Sequence, residues 1–171
     1  MEMTVNEDIC QNLREALSRE WIDTNGTGSY ASSTILNCHT RRYHGLLVAN
    51  LAKPAGRFVL LSKFEDSIAA EGKEFLLSCH KYPGVIAPRG HHFLREFRQG
   101  FFPHFTHVVG DVVLTKSLMM VRGADRVLIR YHLAKSAMPI QLRLKPFLAY
   151  RPANDLTREN FYLQARTFSW K

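Results

Sequence analysis

Residues 112–150 read VVLTKSLMMVRGADRVLIRYHLAKSAMPIQLRLKPFLAY, and the period of this stretch decides the fold class. Val127, Ile129, Tyr131 and Leu133 alternate with Arg126, Leu128, Arg130 and His132, and Ile140, Leu142 and Leu144 alternate with Gln141, Arg143 and Lys145. Successive strand residues point to opposite faces, so a period of two marks strands with one apolar and one polar face. Arg122-Gly123-Ala124-Asp125 and Ser136-Ala137-Met138-Pro139 supply the turns. A meander of long antiparallel strands predicts a mainly β chain, an antiparallel β-sandwich.

Working back towards the N-terminus, residues 91–98 and 102–109 pair as strands about Gln99-Gly100, with Pro103 placing the second at an edge. Residues 81–90, KYPGVIAPRG, hold two prolines and two glycines and are expected to be an irregular connection. Phe58, Leu60, Ser62 and Phe64 alternate with Arg57, Val59, Leu61 and Lys63, and Ala70-Glu71-Gly72-Lys73 turns the chain into a second strand over residues 74–80. Residues 20–24, EWIDT, form a short strand that enters a tight turn at Asn25-Gly26-Thr27-Gly28-Ser29-Tyr30. At most one short helix is expected, over residues 7–18, capped by Asn6 and carrying Ile9, Leu13 and Leu17 on one face. At the other end residues 160–171 alternate again. Tyr162, Phe168 and Trp170 suit a core or an interface there, and with no terminating signal the chain is expected to be part of something longer.

The polar residues gather at residues 37–50, NCHTRRYHGLLVAN. As a strand, this stretch puts Arg41, Tyr43, Gly45 and Leu47 on one face and Arg42, His44, Leu46 and Val48 on the other. Both faces turn from polar to apolar at Gly45, so the strand is expected to start at a wet rim and run inward, with Gly45 leaving room for a close approach.

With 171 residues, 46% of them hydrophobic, the chain fits a single domain with its own core. No apolar run is long enough to span a bilayer and the N-terminus MEMTVNEDICQNL has acids where a signal peptide needs a basic start, so a cytoplasmic protein with no membrane partner is expected. Cys10, Cys38 and Cys79 are odd in number and hold no Cys-x-x-Cys pair, which argues for reduced packing residues. The net charge of +8 is carried more by Arg than by Lys. It is dispersed, without a nucleic-acid motif, which leaves a solvated surface, an acidic partner domain or, as the weakest of the three, a nucleic acid as its reason.

Gly26-x-Gly28-x-x-Ala31 matches the dinucleotide fingerprint in form alone. No helix signal follows, and no Asp or Glu lies between Asp23 and Glu65 to hold a ribose. The eight histidines raise a metal site, but His91 and His92 are adjacent and His104 and His107 three apart, spacings that split each pair across a strand, so no metal and no cofactor is expected. Glycosidic hydrolysis needs two opposed carboxyl groups, and among 15 acids the nearest candidate is Asp23, which reads better as a turn cap. What remains is Asn25 with Tyr30, and Arg41, Arg42, Tyr43 and His44. Planar donors and aromatic faces of this kind suit a neutral sugar, and the two arginines suit equally well a clamp at a domain interface.

The same residues resemble a known family. EWIDTNGTGSYASSTILNCHTRRYHGLLVAN, residues 20–50, is similar to the N-terminal domain of bacterial and archaeal glycogen debranching enzymes, whose motif runs E-W-L-x-T-N-G-x-G-G-[YF]-A-S and then T-R-R-Y-H-G-L-L-[VI]-A. A second similarity is Tyr150-Arg151 followed by Leu156-Thr157-Arg158-Glu159-Asn160. Two departures are Ser29, where the family has a second glycine, and Pro152-Ala153-Asn154, where it has an acid and a histidine. The resemblance implies a supersandwich-like β domain ahead of an (α/α)₆ barrel, in an amylo-α-1,6-glucosidase that removes branch-point glucose. The family's catalytic carboxylates lie in that barrel. The chain alone is therefore expected to be non-catalytic, with Asn25, Tyr30 and Arg41 to His44 facing the barrel or an α-glucan. A stand-alone carbohydrate-binding module is the alternative, and an exposed sheet edge leaves a homodimer open.

Overall fold

The computed structural model describes residues 2–157. The chain opens with Met3–Val5 (β1) and two short helices, Glu7–Gln11 (α1) and Leu13–Leu17 (α2). Strands follow at Glu20–Thr24 (β2), Tyr30–Thr34 (β3), Gly45–Ala52 (β4), Ala55–Ala70 (β5), Lys73–Leu76 (β6), Cys79–Tyr82 (β7) and Val85–Arg89 (β8). After a 3₁₀ turn at Gly90–Phe93 come Leu94–Gln99 (β9), Pro103–Val109 (β10), Val112–Met120 (β11), Val127–Lys135 (β12) and Gln141–Pro152 (β13). One antiparallel sheet has the order β1-β9-β10-β11-β12. The other runs β13-β5-β4-β3-β2, with β6 on the far end of β5, and β7 and β8 form a separate hairpin.

The β-sandwich is the architecture expected, and its details differ in places that have physical reasons. The helix over residues 7–18 is divided at Asn12, whose backbone is extended and whose side chain accepts the Glu15 N–H at 3.2 Å; Asn12 is the side-chain cap, and Asn6 caps nothing with its amide. The apparent meander ends at Lys135. β12 pairs with β11, but β13 crosses to the other sheet and pairs along β5 from Gln141↔Ala69 to Pro152↔Phe58. Residues 81–90 are part of the β7–β8 hairpin about Pro83-Gly84, with Gly84 in the left-handed region at φ 76°. Pro103 does not mark an edge: β10 lies between β9 and β11, and Pro103 is its first residue, where a missing N–H interrupts no ladder. The segment holding Tyr162, Phe168 and Trp170 lies outside the described residues.

The core fills the gap between the sheets. In β10 and β11 every second residue is buried, and those of β11 are Val112, Leu114, Lys116, Leu118 and Met120. Trp21 of β2 meets Phe105 of β10 edge to face at 5.9 Å, in a cluster that also holds Phe97, Ile35 and Leu46. Full burial of each such side chain is worth about 1.5–3 kcal/mol. A second cluster gathers Ile68, Leu77, Val109, Val112 and Leu114. Between the clusters lies a charged centre, where Lys116 meets Asp66 of β5 and Asp66 also accepts the Tyr131 hydroxyl at 2.8 Å. Cys10, Cys38 and Cys79 are free and buried, and burial pushes the Cys10 and Cys79 thiols up to about 11, so they pack as neutral thiols. No helix among the described residues is long and apolar enough to cross a membrane.

Candidate functional site

Residues 41–44 form a turn, not the start of a strand. The His44 N–H donates to the Arg41 carbonyl at 3.2 Å, and strand pairing begins only at Gly45. The two-face alternation therefore fails across Arg41 to His44: Arg41, Arg42 and Tyr43 are all exposed, while His44 is fully buried. A side chain on Gly45 would meet Val48 Cγ2 at 2.9 Å and Val59 Cγ1 at 3.0 Å, so the close approach at this glycine is made by the sheet's own apolar residues. Arg41 Nε donates to Glu20 Oε1 at 2.8 Å. His44 Nδ1 accepts the Thr40 N–H at 3.2 Å, leaving its other nitrogen 3.7 Å from the same carboxylate oxygen. Burial pulls the His44 pKa below its ordinary value and the Glu20 carboxylate partly opposes this, so the ring is neutral at pH 7 with its proton on Nε2.

Asn25 is also buried, at a corner where the two sheets meet. Its Oδ1 accepts the N–H groups of Thr27 at 2.8 Å and Ser29 at 3.0 Å, while Nδ2 donates to the Ala124 carbonyl at 3.1 Å in the turn between β11 and β12. Ser29 does not need the conformational freedom of the glycine it replaces, since its backbone is outside the positive-φ set. Its hydroxyl is used instead, donating to Asp125 and accepting the Asn50 N–H at 2.8 Å. Gly28 is different: its φ is 102°, and a Cβ there would lie 2.7 Å from Asn50 Nδ2.

Beside this corner opens a cleft of about 760 Å³, lined by Tyr30, Tyr43, Asn50, Arg57, Phe58, Asn154 and Asp155 among others. Tyr30 donates its hydroxyl to the Tyr43 carbonyl at 3.0 Å, fixing one wall. Arg57 Nε donates to the Gly28 carbonyl at 3.1 Å, and Phe58 stacks on Tyr150 with centroids 5.3 Å apart. The opposite wall is the turn at Pro152-Ala153-Asn154, held by Arg151, whose guanidinium donates to the carbonyls of Asp155 at 2.8 Å and Arg42 at 2.7 Å. Ala153 is buried against Val48 and Val59 and donates its N–H to the Arg57 carbonyl at 2.8 Å.

The six candidate residues thus divide. Tyr30 and Tyr43 line the cleft, and Arg42 touches its far wall at the Asn154 carbonyl, 3.5 Å away. Arg41 and His44 share Glu20, and Asn25 builds the corner behind. Asn50, Arg57, Phe58, Asn154 and Asp155 were not among the candidate site residues; the signals were the abrupt polar Asn50 after Leu46-Leu47-Val48-Ala49 and the departure from the family motif that includes Asn154. Aromatic faces with planar amide and guanidinium donors equip the cleft for a neutral polyol. Asp155 is the sole carboxylate among the described residues lining it, so these residues do not assemble the paired carboxyl groups of glycoside hydrolysis. Asp23, the other acid considered, accepts the Met120 N–H at 2.7 Å and ties β2 to β11. Among the described residues no three or more His, Cys, Asp or Glu converge to hold a metal ion, and His104 is bound to Ser117 Oγ at 2.8 Å.

Comparison with known proteins agrees with the motif. A family described as the glycogen debranching enzyme N terminal matches residues 19–169. No curated protein and no solved structure matches the chain.

Proposed function

The chain belongs to the glycogen debranching enzyme N-terminal family, and from that membership we propose that it is the accessory domain of an amylo-α-1,6-glucosidase acting in cytoplasmic glycogen catabolism. In this role the whole chain is one sandwich at the N-terminal side of an (α/α)₆ barrel. The barrel supplies the catalytic carboxylates. The sandwich packs against it, presents its rim cleft to an α-glucan, and hydrolyses nothing alone.

The observation that carries the glucan contact is the cleft, where Tyr30 and Tyr43 of the family motif stand with Phe58, Arg57, Asn50 and Asn154 around a space of sugar-binding size. Apolar sugar faces suit the rings, and hydroxyl groups suit the amides and the guanidinium. A second reading is favoured by the cleft being built from this chain's own residues: a carbohydrate-binding module that works without the barrel.

The test is isothermal titration of the chain with maltooligosaccharides and a branched dextrin at two salt concentrations, beside kinetics of the full-length enzyme. The accessory role expects Tyr43→Ala and Arg57→Ala to lower kcat/KM of the enzyme on branched dextrin while its melting temperature holds. Salt-insensitive binding by the chain alone, lost in the same variants, supports the module. Unchanged kinetics together with no binding would overturn both.

A further inference from the structure

A small cavity lies between the sheets, away from the cleft. It measures about 10 Å³ as the space open to the centre of a water-sized sphere, and Asn37, Asp66, Ser78, His107 and Phe105 are among the residues around it. Two polar atoms of those residues, Asn37 Oδ1 and His107 Nδ1, are buried without a hydrogen-bond partner among the described residues. Of the other polar neighbours, Asp66 accepts from Lys116 and Tyr131, Ser78 Oγ accepts the Asp66 N–H at 2.8 Å, and His91 Nδ1 lies 3.9 Å from Cys79 Sγ.

Both orphans are delivered there by local backbone. His107 occupies an inward position of β10, where strand alternation places core residues, and is 8% exposed. Asn37 sits in the left-handed region at φ 50° and donates its N–H to the Thr34 carbonyl at 2.8 Å, so a tight turn carries its side chain. A buried polar atom left without a partner costs about 1–3 kcal/mol, and here the two residues that carry such atoms line one space. A polar cavity of about 10–15 Å³ on this measure holds one water molecule, whereas an apolar one stays dry.

We propose that this cavity is a binding site for a single internal water, which bridges Asn37 and His107 and so joins the loop ahead of β4 to β10 of the facing sheet. The water donates one hydrogen to Asn37 Oδ1. It bonds His107 Nδ1 as donor when the ring carries its proton on Nε2 and as acceptor in the other tautomer. It would serve as a structural part of the loop that leads to Arg41 and His44.

The experiment is a crystal structure of the wild-type chain together with oxygen-17 relaxation dispersion in solution, repeated on Asn37→Gly with His107→Leu. Glycine keeps the left-handed turn while removing the amide. The expected result is a density peak about 2.7–3.2 Å from both atoms, and a long-lived water signal that the double variant loses. A direct Asn37–His107 contact, no peak between the two, or a signal unchanged in the double variant would overturn the proposal. The wild-type crystal structure decides by itself if the double variant does not fold.

Discussion

Lys116 Nζ stands 2.5 Å from Asp66 Oδ2, a charge pair that joins β11 of one sheet to β5 of the other with the lysine side chain 1% exposed. Removing one partner leaves the other charge buried and uncompensated, so Asp66→Ala is expected to destabilise the fold by about 3–5 kcal/mol in chemical denaturation. Asp66→Leu with Lys116→Met is expected to recover most of that loss. A loss below about 1 kcal/mol for the single change would mean that water reaches the pair.

Acid should weaken the fold between pH 6.5 and 4. Burial lowers the pKa of His107 and of His91 to about 4, while both titrate near 6.5 when unfolded. Below pH 6.5 the unfolded chain therefore binds protons that the folded chain refuses, and stability is lost as pH falls towards 4. Each histidine contributes a slope of up to about 1.4 kcal/mol per pH unit. Melting temperature measured from pH 7 to 4 should show the decline, and His107→Phe should make it shallower.

Lys63 predicts the opposite end of the scale. It is buried with its ammonium donating to the Cys79 carbonyl at 2.6 Å, and desolvation lowers its pKa from 10.5 to about 8. Between those values the unfolded chain holds the extra proton, so this group makes stability rise with pH from about 8 to 10.5. Above pH 9 the raised Cys10 and Cys79 thiols act in the opposite direction, so the lysine is read by difference: urea unfolding at pH 8 and pH 10 should show a less favourable change in stability between the two in Lys63→Met than in the wild type.

Two glycines should respond differently to alanine. At Gly45 the new Cβ meets the methyl groups of Val48 and Val59, which is overpacking worth about 1–3 kcal/mol, and Val48→Ala, which removes the nearer methyl, should relieve part of it. At Gly90 the Cβ would lie 2.1 Å from the Leu77 carbonyl carbon and 2.6 Å from the Ser78 nitrogen. Backbone does not step aside as a methyl does. Gly90→Ala should abolish soluble folded protein, and no single side-chain truncation should rescue it.

Asn25→Ala removes the acceptor for two N–H groups and the donor to Ala124, with an expected loss of about 2–4 kcal/mol. Under the proposed glucan contact, affinity per folded molecule should hold. Weaker binding with unchanged stability would instead make Asn25 a ligand contact.

Strand period was legible where each face of a strand meets one environment. Residues 127–132 alternate because one face of β12 packs inward and the other meets solvent, and the pattern ends at the exposed Leu133. At residues 41–48 the apolar half was a strand and the polar half was not, since alternation of Arg, Tyr and His is equally at home in an exposed turn. Ser32, Ser33 and Thr34 gave no strand signal, yet all three are buried in β3, where Ser32 and Thr34 bond the carbonyls of Trp21 and Cys38. The change of sheets after Lys135 was hidden for another reason: a turn motif states that the chain reverses, not which neighbour it then pairs with. The cleft was half legible, because Tyr30 and Tyr43 belong to a continuous motif while Arg57, Phe58 and Asn154 come together only through pairing of β4, β5 and β13.

The corner that fastens Asn25 and Ser29 to Ala124 and Asp125 links residues 96 to 100 positions apart. So long a loop can close only after β11 and the turn that follows it have been made, so this contact cannot form among the first strands of the chain. Asn50 hangs from the same corner through Ser29, and the wall at Asn154 arrives later still in the chain. During synthesis, then, β2 to β5 can pair long before any cleft exists. The cleft matures only when the strand that carries Arg151 has left the ribosome and taken its place beside β5.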